Sequence, residues 1–216
     1  MKADDAEEKN KTLFRYTNLA SLFYVLRNRR LTTLNYLLWD DRNDQYYMGH
    51  YKQRGHFESV LAACFTMGSE TYHHWRVFAP GADGVRIHFS SGRLLPALRT
   101  YEGIRFGSVA YKKIDEMRMA DVALDQLPFL KRIPYRDEKE FRVLWSSRTQ
   151  KVESKDFDIP LDSITRITLS PWLPPDLAES LKATIKGIEG CSGIRVYPST
   201  LRDNKRWQDF VSKIGG

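Results

Sequence analysis

The sequence predicts an α+β fold: a single domain with a mostly antiparallel central sheet and a C-terminal β-α-β unit. Short apolar stretches with period-two alternation recur along the chain, and amphipathic helical patterns stand between several of them. The 216 residues, of which 42% are hydrophobic and 12% aromatic, suffice for one sizeable core. We therefore expect a frayed, charged N-terminal tail over residues 1–11 and a single domain over residues 12–216.

The first half of the chain carries several strand patterns and one clear helix. The predicted strands cover residues 13–17, 31–34, 60–66 and 85–89, with residues 104–111 as a further strand or hairpin. Apolar residues recur at helical spacing from Leu19 to about Asn28, and Thr17 or Asn18 can cap this helix. A polar cluster over residues 40–44 predicts a turn.

The second half of the chain predicts further helices and the β-α-β unit. A helix over residues 115–127 should end at Pro128, because proline cannot continue it. The polar residues 148–158 predict a loop, and residues 164–197 have the pattern of a β-α-β unit. A last helix should be fixed to the body by apolar side chains, namely Trp207, Phe210, Val211 and Ile214.

Residues 135–145 carry the most distinctive polar pattern, a Glu-x-Glu-x-Arg sequence that runs into an apolar strand. Alternation places one set of side chains toward the core: Phe141, Val143 and Trp145. It places a polar set on the other side: Glu138, Glu140 and Arg142. That side can be a solvated face held by exposed ion pairs, or the floor of a cleft in which paired carboxylates do acid–base or electrostatic work. The pattern alone favours the solvated face.

Composition limits the partners that the chain is expected to have. It carries 34 basic and 27 acidic residues, a net charge of +7. This balance favours nucleic acid or a phosphate-bearing ligand, although short basic groups fit ordinary surface solubility equally well. No apolar run approaches the roughly 18 residues that span a bilayer, and the charged start has no secretory h-region. With only two cysteines, a cytoplasmic, reducing setting and no membrane partner are expected.

Common catalytic motifs are absent from the sequence. Its five histidines show no metal-ligand spacing, and it has no Walker loop, dinucleotide fingerprint or serine-hydrolase elbow. Polar or aromatic residues instead gather near the ends of predicted strands: Arg15, Tyr16, Thr17, Asn43, Asp44, Thr66, Trp75, Glu138 and Glu140. Each has an ordinary structural explanation by itself, as a surface pair, a turn residue or a packed ring.

In their order along the chain, these short motifs resemble the bacterial domain-of-unknown-function family twenty-nine seventy-one. The resemblance covers roughly residues 13–200 and depends on residues 14–19, 43–44, 64–66, 75, 84–89, 131–132 and 138–142. Arg15 stands where the family usually has His, and Gln45 follows Asn43 and Asp44 where the family usually has Pro. The family in turn is similar to a distant branch of the ADP-ribosyltransferase fold.

The resemblance implies a cleft for NAD and a role for each motif residue. Glu140 would be the catalytic carboxylate, with Glu138 as the upstream carboxylate. The implied cofactor-binding residues are Arg15, Tyr16, Thr17, Thr66, Tyr46, Tyr47 and Trp75. Among them, Arg15 would bind the ribose and pyrophosphate, and one of the three aromatic residues Tyr46, Tyr47 and Trp75 would stack on nicotinamide. No metal is implied.

The implied activity is that of an NAD-dependent ADP-ribosyltransferase-like enzyme, a glycosyl-transferring class. Its acceptor would be a macromolecule, with nucleic acid as a candidate, and the family suggests a toxin or anti-phage effector. The alternative is a non-catalytic module of the same fold that binds a nucleotide or nucleic acid. The +7 net charge is the feature that favours this alternative.

Overall fold

A nine-stranded sheet forms the centre of the fold and is antiparallel except at one edge. The structure, a computed structural model, describes residues 11–211. The strands are β1 Thr12–Asn18, β2 Arg30–Asn35, β3 Ser59–Thr66, β4 Gly84–Ser90, β5 Ile104–Ser108, β6 Ala110–Lys112, β7 Leu130–Arg132, β8 Glu140–Ser147, β9 Ser154–Asp158, β10 Ile164–Leu169 and β11 Arg195–Pro198. The helices are α1 Leu19–Asn28, α2 Arg42–Arg54, α3 Tyr72–Phe78, α4 Ser91–Leu98, α5 Ile114–Arg118, α6 Pro175–Lys186 and α7 Lys205–Val211. None of these helices, all within residues 11–211, is long and apolar enough to cross a membrane.

The predicted α+β class, with a mostly antiparallel sheet and a C-terminal β-α-β unit, is confirmed. β10 and β11 pair in parallel, and α6 connects them. The Asn18 side chain accepts a hydrogen bond of 2.9 Å from the Ser21 N–H, so it caps α1 as the sequence predicts. The predicted strands at residues 13–17, 31–34, 60–66 and 85–89 correspond to β1, β2, β3 and β4.

The sheet splits at β3. β8 pairs with β3 along its whole length, from Ser59 to Thr66. The other edge of β3 is shared: β2 pairs with Leu61 and Ala62, and β1 pairs only at Thr66. β1 and β2 therefore separate from each other alongside residues 63–65 of β3, and each strand leads into a different half of the sheet. We call this separation the split. One half has the order β1-β4-β10-β11, and the other contains β9, β2, β3, β8 and β5.

The two faces of the sheet differ in polarity because alternate residues point to opposite sides. On the apolar face, α1, α4 and α6 pack against strand residues such as Phe65, Ile87 and Val143. The opposite face carries Glu140 and Arg142, in register with Thr66 and Cys64 of β3. Helix α2 covers part of this polar face through a smaller apolar cluster comprising Tyr36, Met48, Tyr51, Val60, Ala62 and Leu144.

Two predicted loops are in fact regular elements. Residues 40–44 contain the start of α2, where Asp41 caps the helix by accepting a 3.0 Å hydrogen bond from the Asn43 N–H. The predicted loop 148–158 contains β9, which pairs with β2 at five positions. Its sequence is polar apart from the fully buried Phe157, so hydrophobic alternation could not reveal it.

One predicted helix is wrong, and two further predictions are confirmed in part. The helix over residues 115–127 is limited to α5, which buries no residue, and a 3-10 segment Leu124–Phe129 follows that contains Pro128. Of the two alternatives for residues 104–111, the strand is confirmed and the hairpin is not, because β5 pairs with β8 and β6 pairs with β7. The predicted last helix is present as α7, but its predicted packing against the body is wrong: Trp207 is 73% exposed and Phe210 is 61% exposed. Ile214 and residues 1–10 lie outside the described residues.

Gly103 enters β5 through a backbone conformation that favours glycine. Its φ is +82°, and an added Cβ would lie 2.3 Å from the Ser146 carbonyl oxygen. Gly103→Ala should therefore lower the free energy of unfolding by about 1–3 kcal/mol, since left-handed strain and a backbone clash act together. Gly193→Ala is the matched control, because nothing lies within 4 Å of its added Cβ. Equal urea midpoints for the two variants would contradict this account.

Candidate active site

Arg142 lies at the centre of a buried polar network on β8. It is fully buried, and all of its guanidinium nitrogens donate to oxygen acceptors. It donates to Glu140 through Nε and Nη2, both at 2.9 Å. It donates to Asp44 through Nη1 at 3.1 Å and Nη2 at 2.8 Å, and to the Pro128 carbonyl at 2.6 Å. Two bidentate pairs of this kind fix both carboxylates in position.

Lys131 connects a third carboxylate to the same network. Its ammonium lies 2.6 Å from Glu138, 3.5 Å from Glu140 and 3.8 Å from Asp44. We call Asp44, Glu138, Glu140, Lys131 and Arg142 the carboxylate cluster. It contains three acids and two bases, so it carries one net negative charge when all five groups are ionised. Within residues 11–211, no group of His, Cys, Asp or Glu is placed to hold a metal ion.

Of the three acids in the cluster, Glu140 is the one whose pKa is lowered by its partners. Burial opposes ionisation of this carboxyl, but Arg142 and then Lys131 outweigh burial and lower the pKa of Glu140 to about 2. Burial dominates at the other two acids and raises the pKa of both Asp44 and Glu138, although Arg142 and Lys131 oppose it. Glu140 is therefore ionised at neutral pH while almost excluded from water, with 5% of its surface exposed.

Period-two alternation predicts that Glu138 and Glu140 lie on the same face of one strand, but only Glu140 belongs to the strand. Glu140 is the first residue of β8, whereas Glu138 ends a 3-10 segment before it, and Lys139 between them has a left-handed φ of 44°. The two carboxylates still meet, because Lys131 bridges them. The expectation of a solvated face is wrong for Glu140 and Arg142, since both are buried.

β3 supplies two residues beside the cluster. Thr66 lies opposite Glu140, and its hydroxyl donates to the Glu138 carbonyl and accepts from the Gly68 N–H at 2.9 Å. These contacts hold the turn after β3. Cys64 lies opposite Arg142, at the level where β1 and β2 diverge, and its thiol reaches solvent. Nearby protein atoms still displace much of its water, and this effect, followed by Glu140, raises the pKa of the thiol well above its usual value.

The residues predicted from the first strand are divided between the two sides of β1. Arg15 and Thr17 lie opposite Ile87 and Val85, and both partners are core residues. The Arg15 guanidinium crosses to β2, where Nη1 donates to the Thr32 carbonyl at 3.4 Å, and burial lowers its pKa. Arg15 therefore spans the split in the sheet.

Tyr16 lies on the polar side of β1, opposite Arg86 of β4. Trp75 of α3 packs edge-on against Tyr16, with ring centroids 5.1 Å apart. It is fully buried, and its indole N–H donates to Glu70 at 2.7 Å. The Trp75 ring therefore has no exposed face on which nicotinamide could stack in this structure.

The two other predicted stacking residues lie on α2. Tyr46 is 72% exposed, while Tyr47 is half-buried and lies three residues after Asp44. Residues three apart occupy one side of a helix, so Tyr47 lies on the side of α2 that carries Asp44. Sequence reasoning assigned Asn43 and Asp44 to a turn. It missed Asp44 as a partner of Arg142 because the two residues are 98 positions apart.

The half-sheet that contains β1 carries a second set of buried polar residues, which no motif in the sequence indicated. His88 of β4 forms a 2.8 Å hydrogen bond with Thr168 of β10. Burial, followed by the charges of Arg86, Arg166 and Arg195, lowers the pKa of His88 from 6.5 to about 3. Arg86 and His88 alternate with the apolar residues of β4, a pattern typical of a half-buried strand, but both side chains are buried.

His88 should make the fold sensitive to acid. Because its pKa is lowered, the unfolded chain takes up a proton that the folded chain does not, so stability falls as pH drops from 6.5 toward about 3. Between pH 6.5 and pH 5, the free energy of unfolding should fall by about 1–2 kcal/mol less in His88→Gln than in the wild type, as measured by urea unfolding. His73→Gln, at an exposed position, controls for the loss of an imidazole. Parallel pH profiles for wild type and His88→Gln would contradict the assignment.

No protein-family model matches the chain, and no curated protein matches it. Solved structures that resemble it include DarT from Thermus sp. 2.9 in complex with NAD+, with a TM-score of 0.44 and 12% identity, covering 88% of this chain and 96% of that chain. The complex of the same protein with ADP-ribosylated ssDNA gives a TM-score of 0.45 and 12% identity, covering 89% and 95%.

Proposed function

We propose that this chain is an NAD-dependent ADP-ribosyltransferase-like enzyme and that the carboxylate cluster is its active centre. The observation that carries the proposal is Glu140: it is held ionised, almost out of water, beside the split between β1 and β2. Cleavage of the nicotinamide–ribose bond of NAD develops an oxocarbenium-like cation. A fixed carboxylate in a site of low dielectric stabilises such a charge far better than water does.

The charge balance of the cluster fits this role. Lys131 and Arg142 orient three carboxylates but balance only two negative charges, so one negative charge remains for a developing cation when all five groups are ionised. Arg142 also removes the freedom of Glu140 to rotate, because it binds both carboxylate oxygens. The carboxylate therefore needs no rearrangement when positive charge develops near it, and this is the source of electrostatic catalysis.

Glu138 and Glu140 differ in their access to a substrate. The Glu138 side chain is 19% exposed and that of Glu140 is 6% exposed. We assign to Glu140 the stabilisation of the ribose cation, and to Glu138, on the solvent side, the orientation of the attacking acceptor group. Glu138 is joined to Lys131 through one carboxylate oxygen only, so the other oxygen can accept a hydrogen bond.

The proposed contacts of NAD lie along the split. Arg15 spans it, Tyr16 and Thr17 follow on β1, and Thr66 fixes the turn beside Glu140. For nicotinamide stacking we favour Tyr47 over Tyr46 and Trp75: Tyr46 is largely exposed, and Trp75 is fully buried.

The proposed acceptor is a macromolecule, with nucleic acid as the first candidate. The neighbouring half-sheet carries two arginines in one row on its polar side, the half-buried Arg166 and the exposed Arg195. Tyr197 in the same row is 50% exposed, and the Arg166 guanidinium lies 5.7 Å from its ring. Arginines beside an exposed aromatic ring suit a phosphate backbone with unstacked bases. A role as a toxin or anti-phage effector is proposed from the motif resemblance.

A non-catalytic binding module remains the second candidate, and one observation favours it. Arg142 and Lys131 engage every carboxylate of the cluster, so the cluster is complete as a structural unit. A binding module would hold nucleic acid with an affinity that falls steeply with salt, and it would release no nicotinamide.

The test of the proposed function is incubation with NAD labelled in its adenylate part. Separate reactions would contain single-stranded DNA, RNA or lysate protein, and the label on each acceptor would be measured. Transfer to one class supports the proposal and identifies the acceptor. If no class is labelled, while salt-dependent binding to DNA or RNA is measured, the binding module is favoured instead.

A further inference from the structure

Tyr111 of β6 holds the backbone of Glu140 through a contact that no sequence motif indicated. The Glu140 N–H donates a hydrogen bond of 2.8 Å to the Tyr111 hydroxyl. Tyr111 is half-buried, and burial raises its pKa to about 12. The hydroxyl therefore stays neutral at physiological pH, and its oxygen accepts this hydrogen bond without adding negative charge beside the carboxylates.

This hydrogen bond takes the place of one that the central sheet does not supply. The ladder between β5 and β8 ends at the pair Ser108 and Phe141. Continued by one residue, its register places Val109 opposite Glu140, and such a pair in an antiparallel ladder can exchange two hydrogen bonds. The Val109 N–H does donate to the Glu140 carbonyl, at 2.9 Å, but the Glu140 N–H donates to Tyr111 instead.

The chain leaves the ladder because β6 forms a separate two-stranded sheet with β7. In this small sheet Tyr111 lies opposite Lys131, and paired residues of neighbouring strands project to the same side. The Lys131 ammonium lies 2.6 Å from Glu138 and 3.5 Å from Glu140. One side of the small sheet therefore contacts Glu140 twice, at its carboxylate and at its backbone.

The position of Glu140 in the chain explains why its backbone needs such a contact. Lys139 has a left-handed φ of 44° and follows a 3-10 segment, so Glu140 is the first residue of β8. Arg142 binds both carboxylate oxygens, and these bonds act on the far end of the Glu140 side chain. Tyr111 acts on the near end, through the N–H. The carboxylate is thus restrained from both ends.

We propose that Tyr111 is a positioning residue for Glu140, and that its hydroxyl keeps the carboxylate where it stabilises the ribose cation. The inference rests on the proposed function, in which Glu140 supplies the electrostatic stabilisation. Tyr111 needs no contact with NAD for this role, since it acts through the backbone of Glu140. Electrostatic catalysis depends on preorganisation, and a displacement of about 1 Å can reduce a rate by about 10²-fold.

Tyr111→Phe removes the hydroxyl and keeps the ring, and Tyr101→Phe is its matched control. The Tyr101 hydroxyl accepts the same kind of hydrogen bond, at 3.1 Å, from the N–H of Asp158 at the end of β9. The Tyr101 ring packs against Phe157, a residue of the main apolar core. Both variants should therefore show a similar fall in Tm, while only Tyr111→Phe should affect the reaction.

The kinetic readout is nicotinamide release from NAD. In Tyr111→Phe, kcat should fall by about 10–100-fold while KM stays within about threefold of the wild-type value, because positioning acts on the transition state. Tyr101→Phe should keep both constants. The positioning role would be overturned if kcat were similar in the two variants, or if a rise in KM accounted for the whole loss in Tyr111→Phe.

Amide hydrogen exchange, followed by NMR without NAD, separates this inference from the proposed function. The Glu140 N–H should be protected in the wild type and should exchange about tenfold faster in Tyr111→Phe, while the Phe141 N–H keeps its rate. An unprotected Glu140 N–H in the wild type, or equal rates in both proteins, would overturn the positioning role even if the chain releases nicotinamide. A wild type with a protected Glu140 N–H that releases no nicotinamide would overturn the proposed function and, with it, the catalytic role of this bond.

Discussion

Arg142→Met should lower the free energy of unfolding by about 3–5 kcal/mol, which is a large part of the stability of a domain. The guanidinium holds Glu140 and Asp44 in a fully buried position, with four hydrogen bonds of 2.8–3.1 Å. Methionine leaves both carboxylates without their main partner, and Lys131 alone cannot replace it. The measurement is the urea midpoint together with the slope of the transition.

Arg30→Met is the matched control for this variant. Arg30 forms a 2.9 Å pair with Asp158, but the two side chains are 49% and 71% exposed. Exposed pairs contribute little to stability, so this variant should unfold close to the wild type. Similar losses of unfolding free energy in the two variants would show that burial does not determine how much the Arg142 network contributes to stability.

Glu140→Gln should reduce the rate of ADP-ribosyl transfer by about 10²–10³-fold, the effect of removing one electrostatic group from a preorganised site. Glutamine keeps the shape of the side chain and removes the charge that a ribose cation requires. The variant should also be less stable than the wild type. Glutamine has one accepting oxygen where Arg142 now uses two, so we expect a stability loss of about 1–3 kcal/mol.

Two further variants separate the loss of chemistry from the loss of stability. Glu179→Gln removes an exposed carboxylate of α6 that pairs with Lys182, and this variant should leave transfer unchanged. Glu138→Gln should slow transfer to the acceptor more than it slows nicotinamide release, since Glu138 is the more exposed carboxylate. If Glu140→Gln, while folded at the assay temperature, transfers at the wild-type rate, Glu140 is not the electrostatic group.

The sequence allowed one side of the site to be predicted, through the alternation around Glu140. Period-two alternation correctly separated Phe141 and Val143 from Glu140 and Arg142. It could not show that the polar side is buried, because a strand pattern contains no information on what covers each face. Here α2 supplies Asp44 and the 3-10 segment at Pro128 supplies a carbonyl, so these two segments cover the charged side.

The least predictable parts depend on long-range pairing. β9 has a polar sequence and exists because β2 offers it a free edge. Arg86 and His88 alternate with apolar residues, as in a half-buried strand, but both are buried on β4, which pairs with β1 and β10. Arg15 follows the motif order, yet its register places it opposite Ile87, and only its long side chain reaches the split. Its contact with NAD stays a prediction.

Nicotinamide release from NAD by the purified chain, with Glu140→Gln assayed at equal folded concentration, is the decisive test of the role of Glu140. We expect release by the wild type, stimulated by the correct acceptor, and a fall of about 10²-fold or more in the variant. A folded wild type that releases no nicotinamide with any acceptor class, or equal release from both proteins, would contradict this role.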